Sequence, residues 1–283
     1  MTTTTTTEKK LLLVAGFGTI AIELVKAARA NGREVIVFSF DKDNTNEFKK
    51  MEIEVYDYAV FEIQQMIDKG LALGIKELTF IGKIPKSTFF KNLHKLNREF
   101  LEEVWKLKDL SDDSLHLKLA DKIENTYGGK IIDQSLYIKH LFPGKEIFTI
   151  AKPSTIDLEE IEFGLKMAKA NAALDIGQTV ITRNKSVIAV EAIEGTNSCI
   201  KRAKKLIGIF DRNKKIYVSK VSKPNQDKRF DIPTIGLETI KAMPKGSYMS
   251  FEANETFFID QEKAIELADK KNICIASFDI SSY

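Results

Sequence analysis

The first half of the chain alternates short, unbroken apolar runs with longer stretches of helical spacing. Residues 11–15 read as a buried strand and 19–30 as a helix that ends near Asn31-Gly32. Residues 34–38 form a second apolar run, 53–56 a shorter third, and 78–81 a fourth that leads into Gly82-Lys83. Phe61, Met66, Ile67 and Leu71 recur at helical spacing over 61–73, a stretch closed by Gly74. Two more helices are predicted over 89–107 and 113–125, before 130–133 returns to strand character. Strands that are apolar throughout are buried on both faces, so this pattern predicts a parallel sheet covered by helices.

Phe142-Pro143-Gly144-Lys145 breaks the pattern and marks a linker. Beyond it comes a helix over 157–173, then two strand-like runs, 179–182 and 187–191, around the hairpin turn Arg183-Asn184-Lys185. A helix follows Gly195 through Leu206, then a strand over 215–220 and a short helix near Leu237. Strands over 250–251 and 256–259, a helix over 261–271 and a strand over 273–277 complete a second α/β domain. The expected division is a disordered tail (1–8), an N-terminal domain (9–142), a linker (143–150) and a C-terminal catalytic domain (151–283).

Composition narrows the class. Hydrophobic residues make up 43% and charged residues 29% of 283, which suits a globular protein with substantial cores. Lys and Arg number 43 against 40 Asp and Glu, a balance that gives no reason to expect nucleic acid. Two cysteines and three histidines, all scattered, argue against a disulfide framework or zinc chemistry and fit a reducing cytoplasm. The apolar run after Lys9-Lys10 is interrupted by glycines and ended by Glu23, so it reads as a strand and helix rather than a signal peptide. No run approaches the roughly 20 apolar residues that a membrane span requires.

Candidate chemistry concentrates in residues 220–236. Lys220, Lys223, Lys228 and Arg229 stand there among Asp227, Asp231, Asn225 and Gln226, and Pro224 and Pro233 forbid a continuous helix. The segment is expected to be extended or looped, and in an extended chain Asp227, Arg229 and Asp231 share one side. Cations bind phosphate oxygens, and a carboxylate beside them can hold a divalent metal or take a proton from water. Upstream, Gly16-Phe17-Gly18-Thr19-Ile20-Ala21 lies between the first strand and helix, as a phosphate-binding turn does. Asp41 is a possible ribose-binding acid behind it. That loop alone would support a nicotinamide-dependent oxidoreductase. Gly82-Lys83 follows the fourth strand at an edge where such sheets bind ligands. Asp175 with Gln178, and Glu191 and Glu194 with Gly195-Thr196, add acids that suit a hard cation, and Thr196 is a possible helix cap. The apolar stripe over 89–107 fits a core helix, and Ser111-Asp112-Asp113 fits a helix start.

Together these segments resemble the metal-dependent UDP-2,3-diacylglucosamine pyrophosphatase family of lipid A biosynthesis, the type without calcineurin-like metal motifs. The resemblance rests on Ala15-Gly-Phe-Gly18, Gly82-Lys83, Ser111-Asp-Asp-Ser-Leu115, Leu174-Asp-Ile-Gly-Gln178, Val190-Glu-Ala-Ile-Glu-Gly-Thr196 and residues 220–236. Phe17 stands where the family usually carries glycine. The resemblance implies an α/β fold, a Rossmann-like N-terminal domain with a parallel sheet plus a distinct C-terminal α/β domain. It implies cleavage of UDP-2,3-diacylglucosamine to UMP and 2,3-diacylglucosamine 1-phosphate with Mg²⁺ or Mn²⁺. It further implies substrate between the domains, a homodimer, and peripheral contact with the inner-membrane leaflet from the cytoplasm. The family's key aspartate corresponds to Asp231, as metal ligand or activator of water, with Asp227 and Glu194 as further metal candidates. Substrate contacts are expected from Gly16, Phe17, Gly18, Thr19, Gly82, Lys83, Asp175, Gln178, Gly195, Thr196, Lys220, Lys223, Asn225, Gln226 and Arg229. A nucleotide-binding module without catalysis is the remaining alternative.

Overall fold

The computed structural model describes residues 9–84, 120–126, 128–208 and 215–280. The predicted helix over 89–107, the Ser111-Asp112-Asp113 motif and the tail before Lys9 lie outside the described residues. The chain divides into two compact units. One comprises residues to Lys139 together with Lys228–Phe230, and the other comprises His140–Asp227 and Asp231–Tyr283.

In the first unit, β1 (Lys10–Ala15), β2 (Glu34–Ser39), β3 (Glu54–Asp57), β4 (Glu77–Ile81) and β5 (Lys130–Ile131) form a sheet in the order β3-β2-β1-β4-β5. Every pair is parallel. Crossover helices α1 (Ile20–Ala30), α2 (Lys42–Lys50) and α3 (Ile63–Ala72) connect the strands. Leu11 and Leu13 are buried on one face of β1, and Leu12 and Val14 pack on the other with Ile36, Phe38 and Leu78. The apolar runs are continuous because both faces are covered.

Helix α2 was not expected from the pattern. Its sequence KDNTNEFKK carries no apolar stripe, and it buries Asn44, Thr45 and Phe48. What starts it is Asp41, whose carboxylate accepts the Asp43 N–H at 3.0 Å. Asp41 is therefore an N-cap, where the sequence suggested a ribose ligand.

In the second unit, α4 (Thr155–Ala173) is followed by β6 (Thr179–Arg183), β7 (Ser186–Val190), α5 (Thr196–Ile207) and β8 (Tyr217–Lys220). Next come β9 (Thr234–Ile235), α6 (Leu237–Ala242), β10 (Tyr248–Glu252), β11 (Phe257–Phe258), α7 (Gln261–Lys270) and β12 (Cys274–Phe278). The main sheet runs β12-β10-β8-β6-β7, with β12, β10 and β8 parallel and β6 antiparallel to both β8 and β7. The β6–β7 turn sits at Asn184 and Lys185, both at positive φ (52° and 51°), which matches the right-handed twist of the strands. Residues 146–148 pair with β12: the Phe148 N–H reaches the Ile275 carbonyl at 2.9 Å, and the Ser277 N–H reaches Glu146 at 2.8 Å.

Each face of this sheet has its own core. Ile181, Val218, Met249, Phe251 and Ile275 pack with residues of α5, α6 and α7. Ile161, Leu165, Ala168 and Ala172 of α4 cover the other face at Val180, Tyr217 and Val221. A Cβ on Gly164 would stand 2.4 Å from the Ser219 Oγ, so only glycine lets α4 lie flush at that point. Ser154 and Asp157 cap α4 reciprocally.

Candidate active site

The described polar side chains of the second unit converge where β8 ends and β6 begins, with Thr179 opposite Lys220 in the register. Lys220 is only 8% exposed, and its ammonium donates to Thr196 Oγ1 at 2.8 Å and to the Thr234 carbonyl at 3.0 Å. The Thr196 hydroxyl donates in turn to Glu191 Oε1 at 2.9 Å. Lys223, equally buried, pairs with Asp175 at 2.6 Å. Gln178 Nε2 donates to Asp231 Oδ2 at 2.9 Å, and Gln226 Nε2 donates to the Asp231 carbonyl. Two lysines, three carboxylates and two carboxamides are thus linked at one sheet end. Such an end, at the carboxyl termini of parallel strands, is where open α/β sheets bind ligands.

The local chain conformation explains the convergence. The Asp231 N–H bonds the Asp227 carbonyl at 3.3 Å, so residues 227–231 form a turn, the looped rather than the extended of the two conformations expected of this segment. Asp227, Arg229 and Asp231 consequently do not share a strand face. Gly177 is forced by close approach: a Cβ there would stand 2.2 Å from the Glu191 carbonyl oxygen. Asp175 sits at φ 54°. Thr196 is the first helical residue of α5, Gly195 is the N-cap, and there is no side-chain cap bond. The Thr196 hydroxyl serves the lysine–glutamate link instead of the expected cap.

Glu194 takes a different set of partners. Burial disfavours its charge, but Arg202 at 2.5 Å and the Ala192 N–H hold its carboxyl below the usual range. Asn225 is exposed in a turn. Arg229 pairs with Glu124 at 3.5 Å and Phe230 lies 5.5 Å from the Phe80 ring, both within the first unit, where the Lys228 carbonyl also accepts the Gln134 N–H.

In the first unit, the loops after β1 and β4 meet, as the strand order predicts for a switch point. Phe17 and Lys83 exchange backbone hydrogen bonds of 2.8 and 3.0 Å. Gly16 and Gly82 back onto each other so closely that a Cβ on either would fall within 3 Å of the other's backbone. The N–H groups of Gly16 and Phe17 are therefore committed to Ile81 and Lys83, which removes them from a phosphate cradle. Gly18, at φ 102°, and Thr19 remain exposed beside them. Asn44 of α2 donates to the Gly18 carbonyl at 2.9 Å and fixes the loop.

Sequence reasoning missed the residues that support this second-unit cluster. Glu191 was weighed only together with Glu194. Lys169 and Glu252 were not singled out at all, since they lie 83 positions apart with no local motif. Glu191 Oε2 and Gln178 Oε1 are buried without a hydrogen-bond partner. These unpaired oxygens, the second on the residue that binds Asp231, are hard donors of the kind that Mg²⁺ takes. That ion uses one or two carboxylates plus substrate phosphates rather than a full protein cage, so the residues fit it. Among the described residues no group of three or more His, Cys, Asp or Glu could by itself hold a metal.

Comparison with known proteins gives two matches to family models. Residues 10–141 match the LpxI N-terminal domain and residues 144–276 the LpxI C-terminal domain. The chain is 25% identical over 277 residues to the UDP-2,3-diacylglucosamine pyrophosphatase LpxI of Caulobacter vibrioides, covering 94% of this chain and 96% of that protein.

Proposed function

The chain belongs to the LpxI family, and from that premise we propose that it hydrolyses the pyrophosphate bond of UDP-2,3-diacylglucosamine, giving UMP and 2,3-diacylglucosamine 1-phosphate for lipid A synthesis. The carrying observation is the Asp231 carboxylate, held by Gln178 in the cluster that contains Lys220 and Lys223. The oxidoreductase alternative is set aside, because the family is one of hydrolases.

Two adjoining phosphates repel an incoming water oxygen, and fixed positive charge relieves that repulsion. Buried ammonium groups do so without reorganising during the reaction. Lys220 and Lys223 supply this charge, and Thr196 and Asp175 keep their long side chains in place. Asp231 orients or deprotonates the water. The water oxygen bonds to phosphorus, the bond from that phosphorus to the bridging oxygen breaks, and the released proton passes to the carboxylate and then to solvent. Asp231, Glu191 and the side-chain oxygen of Gln178 are the groups that would hold Mg²⁺ or Mn²⁺. When bound, the ion neutralises phosphate oxygens and orients the diphosphate. Asp227 and Glu194 remain outer candidates, the latter needing release from Arg202. In the first unit, Gly18, Thr19 and Lys83 are offered as nucleotide contacts.

Among the described residues no helix is long and apolar enough to cross a membrane. The diacylated substrate supports peripheral contact with the inner leaflet from the cytoplasm, and the family resemblance supports a homodimer. Thin-layer separation of lipid products, with and without chelator, tests the reading. UMP and the sugar 1-phosphate should form with Mg²⁺ or Mn²⁺ and cease with chelator. Intact substrate after long incubation with either metal would overturn it.

A further inference from the structure

The loop that carries Asp231 begins just beyond β8, and its first backbone donors are all captured. The Val221 N–H bonds the Gln178 carbonyl at 3.0 Å. The Ser222 N–H bonds Glu252 Oε2 at 2.7 Å, and the Lys223 N–H bonds Gln226 Oε1 at 3.0 Å. Gln178 and Gln226 then reach Asp231 itself, at its carboxylate and its carbonyl. Two of the three acceptors thus hold the aspartate directly. The third, Glu252, holds the start of the loop at Ser222 and is itself held by Lys169.

Glu252 is the last residue of β10 and is 8% exposed. Three donors converge on its Oε2: the Ser222 N–H at 2.7 Å, the Ser222 hydroxyl at 2.7 Å and the Lys169 ammonium at 2.9 Å. Lys169 also reaches Oε1 at 2.9 Å and the Ser222 carbonyl at 3.2 Å. A carboxylate meets three donors at one oxygen without presenting a donor of its own to any of them. A glutamine placed to accept from Ser222 would turn its own N–H₂ toward the Lys169 ammonium. Burying such a pair carries a desolvation penalty, and an apolar contact would serve stability as well, so the pair's value lies in the geometry it imposes.

We propose that Glu252, charge-balanced by Lys169, is a positioning residue for pyrophosphate hydrolysis. It clamps Ser222 so that Lys223 and the loop to Asp231 leave β8 in one fixed path. The proposal deepens the hydrolytic reading given above and rests on it. A loop displaced by a fraction of an ångström still binds a diphosphate through charge, but it no longer aligns the reacting groups. The loss therefore falls on turnover rather than on substrate affinity.

The test compares Glu252→Ala, Glu252→Gln and Gln226→Ala with the full-length wild type, by steady-state UMP release and by hydrogen exchange of the Ser222 and Lys223 amides. Glu252→Ala should lower kcat on the order of 10²-fold with KM within about threefold. Glu252→Gln, which keeps the Ser222 bond, should lose about tenfold. Combined with Gln226→Ala, the losses should fall short of multiplying, because both substitutions release the same segment. Exchange at Ser222 and Lys223 should accelerate in Glu252→Ala. A Glu252→Ala protein with lower melting temperature but unchanged kcat would reduce the residue to a structural role and overturn the proposal, as would losses that multiply. If Glu252→Ala does not fold, Glu252→Gln decides by the same readouts. If the wild type itself releases no UMP, the hydrolytic reading fails. The clamp is then judged by exchange alone, accelerated amides upholding it and unchanged amides overturning it.

Discussion

Gln178 and Asp231 are 53 positions apart, yet the carboxamide of the first donates to the carboxylate of the second at 2.9 Å. Gln178 is 8% exposed and its backbone carbonyl accepts the Val221 N–H, so the residue that presents this carboxamide is anchored in the main chain. Asp231→Ala should lower kcat by about 10²–10⁴. Gln178→Ala leaves the acid present but removes one hydrogen bond that orients it, and should lower kcat by about tenfold. Initial rates of UMP release measure both. Equal losses would mean that Gln178 does more than orient.

Lys220 is a buried cation whose ammonium is held by the Thr196 hydroxyl and the Thr234 carbonyl. Lys220→Met keeps the apolar stem and removes the charge, and should reduce the single-turnover rate by about 10²–10³. Lys220→Arg should not restore it, since a planar guanidinium cannot reproduce a compact ammonium between Thr196 and Thr234. A Met variant within about threefold of wild type would assign Lys220 to packing.

Gly177→Ala places a methyl group 2.2 Å from the Glu191 carbonyl oxygen. One of the two turns must move, at about 1–3 kcal/mol in urea unfolding at neutral pH. The turns carry Gln178 and Glu191, so activity should fall beyond what the lost stability explains. An alanine variant with wild-type stability would show that the contact yields easily.

Asp157 gives a pH signature. Burial disfavours its charge, but the Ser154 hydroxyl and N–H, the Tyr217 hydroxyl at 2.6 Å and Lys215 at 3.0 Å hold its carboxyl far below the usual range. A depressed folded value means that the stabilisation is complete above the unfolded pKa, about 4, and is lost as pH falls toward the folded one. Asp157→Asn should therefore destabilise by roughly 2 kcal/mol at pH 7, with the gap narrowing below about pH 4. Urea titrations at several pH values read this directly. A gap independent of pH would deny the charge its role.

Burial pushes the Cys199 thiol up to about 12 and the Cys274 thiol up to about 11. Neither ionises at neutral pH, so a thiol reagent should label the native protein only as fast as it opens. Labelling complete within seconds in buffer would contradict this.

The strands of the first unit were legible because they are apolar without interruption, and α1 because Ile20, Leu24, Val25 and Ala28 recur on its buried face. Helix α2 was not legible, since Phe48 is its one buried apolar position and the others, Asn44 and Thr45, are made interior only by tertiary bonds. The two-residue strands β9 and β11 were read within longer or irregular runs, as their pairing leaves no periodicity. In the candidate site, composition pointed to Lys220, Lys223, Gln226 and Asp231, whose partners are partly local. For 227–231 both extended and looped chain were expected, and the structure has the turn, because prolines exclude helix but do not choose between strand and turn. Glu252 and Lys169 carry no such mark: a lone charged residue at a strand end or on a helix is ordinary until the fold supplies its partner.

Helix α4 has a mechanical consequence. Near its start Asp157 grips Tyr217, the first residue of β8, and twelve positions later Lys169 grips Ser222, just past the far end of the same strand. With Gly164 seated against Ser219 between them, helix and strand are riveted along about 18 Å. Slippage by a single turn would tear both rivets at once, so α4 and β8 travel as one beam. Whatever rearranges when a ligand arrives must pivot downstream of Ser222.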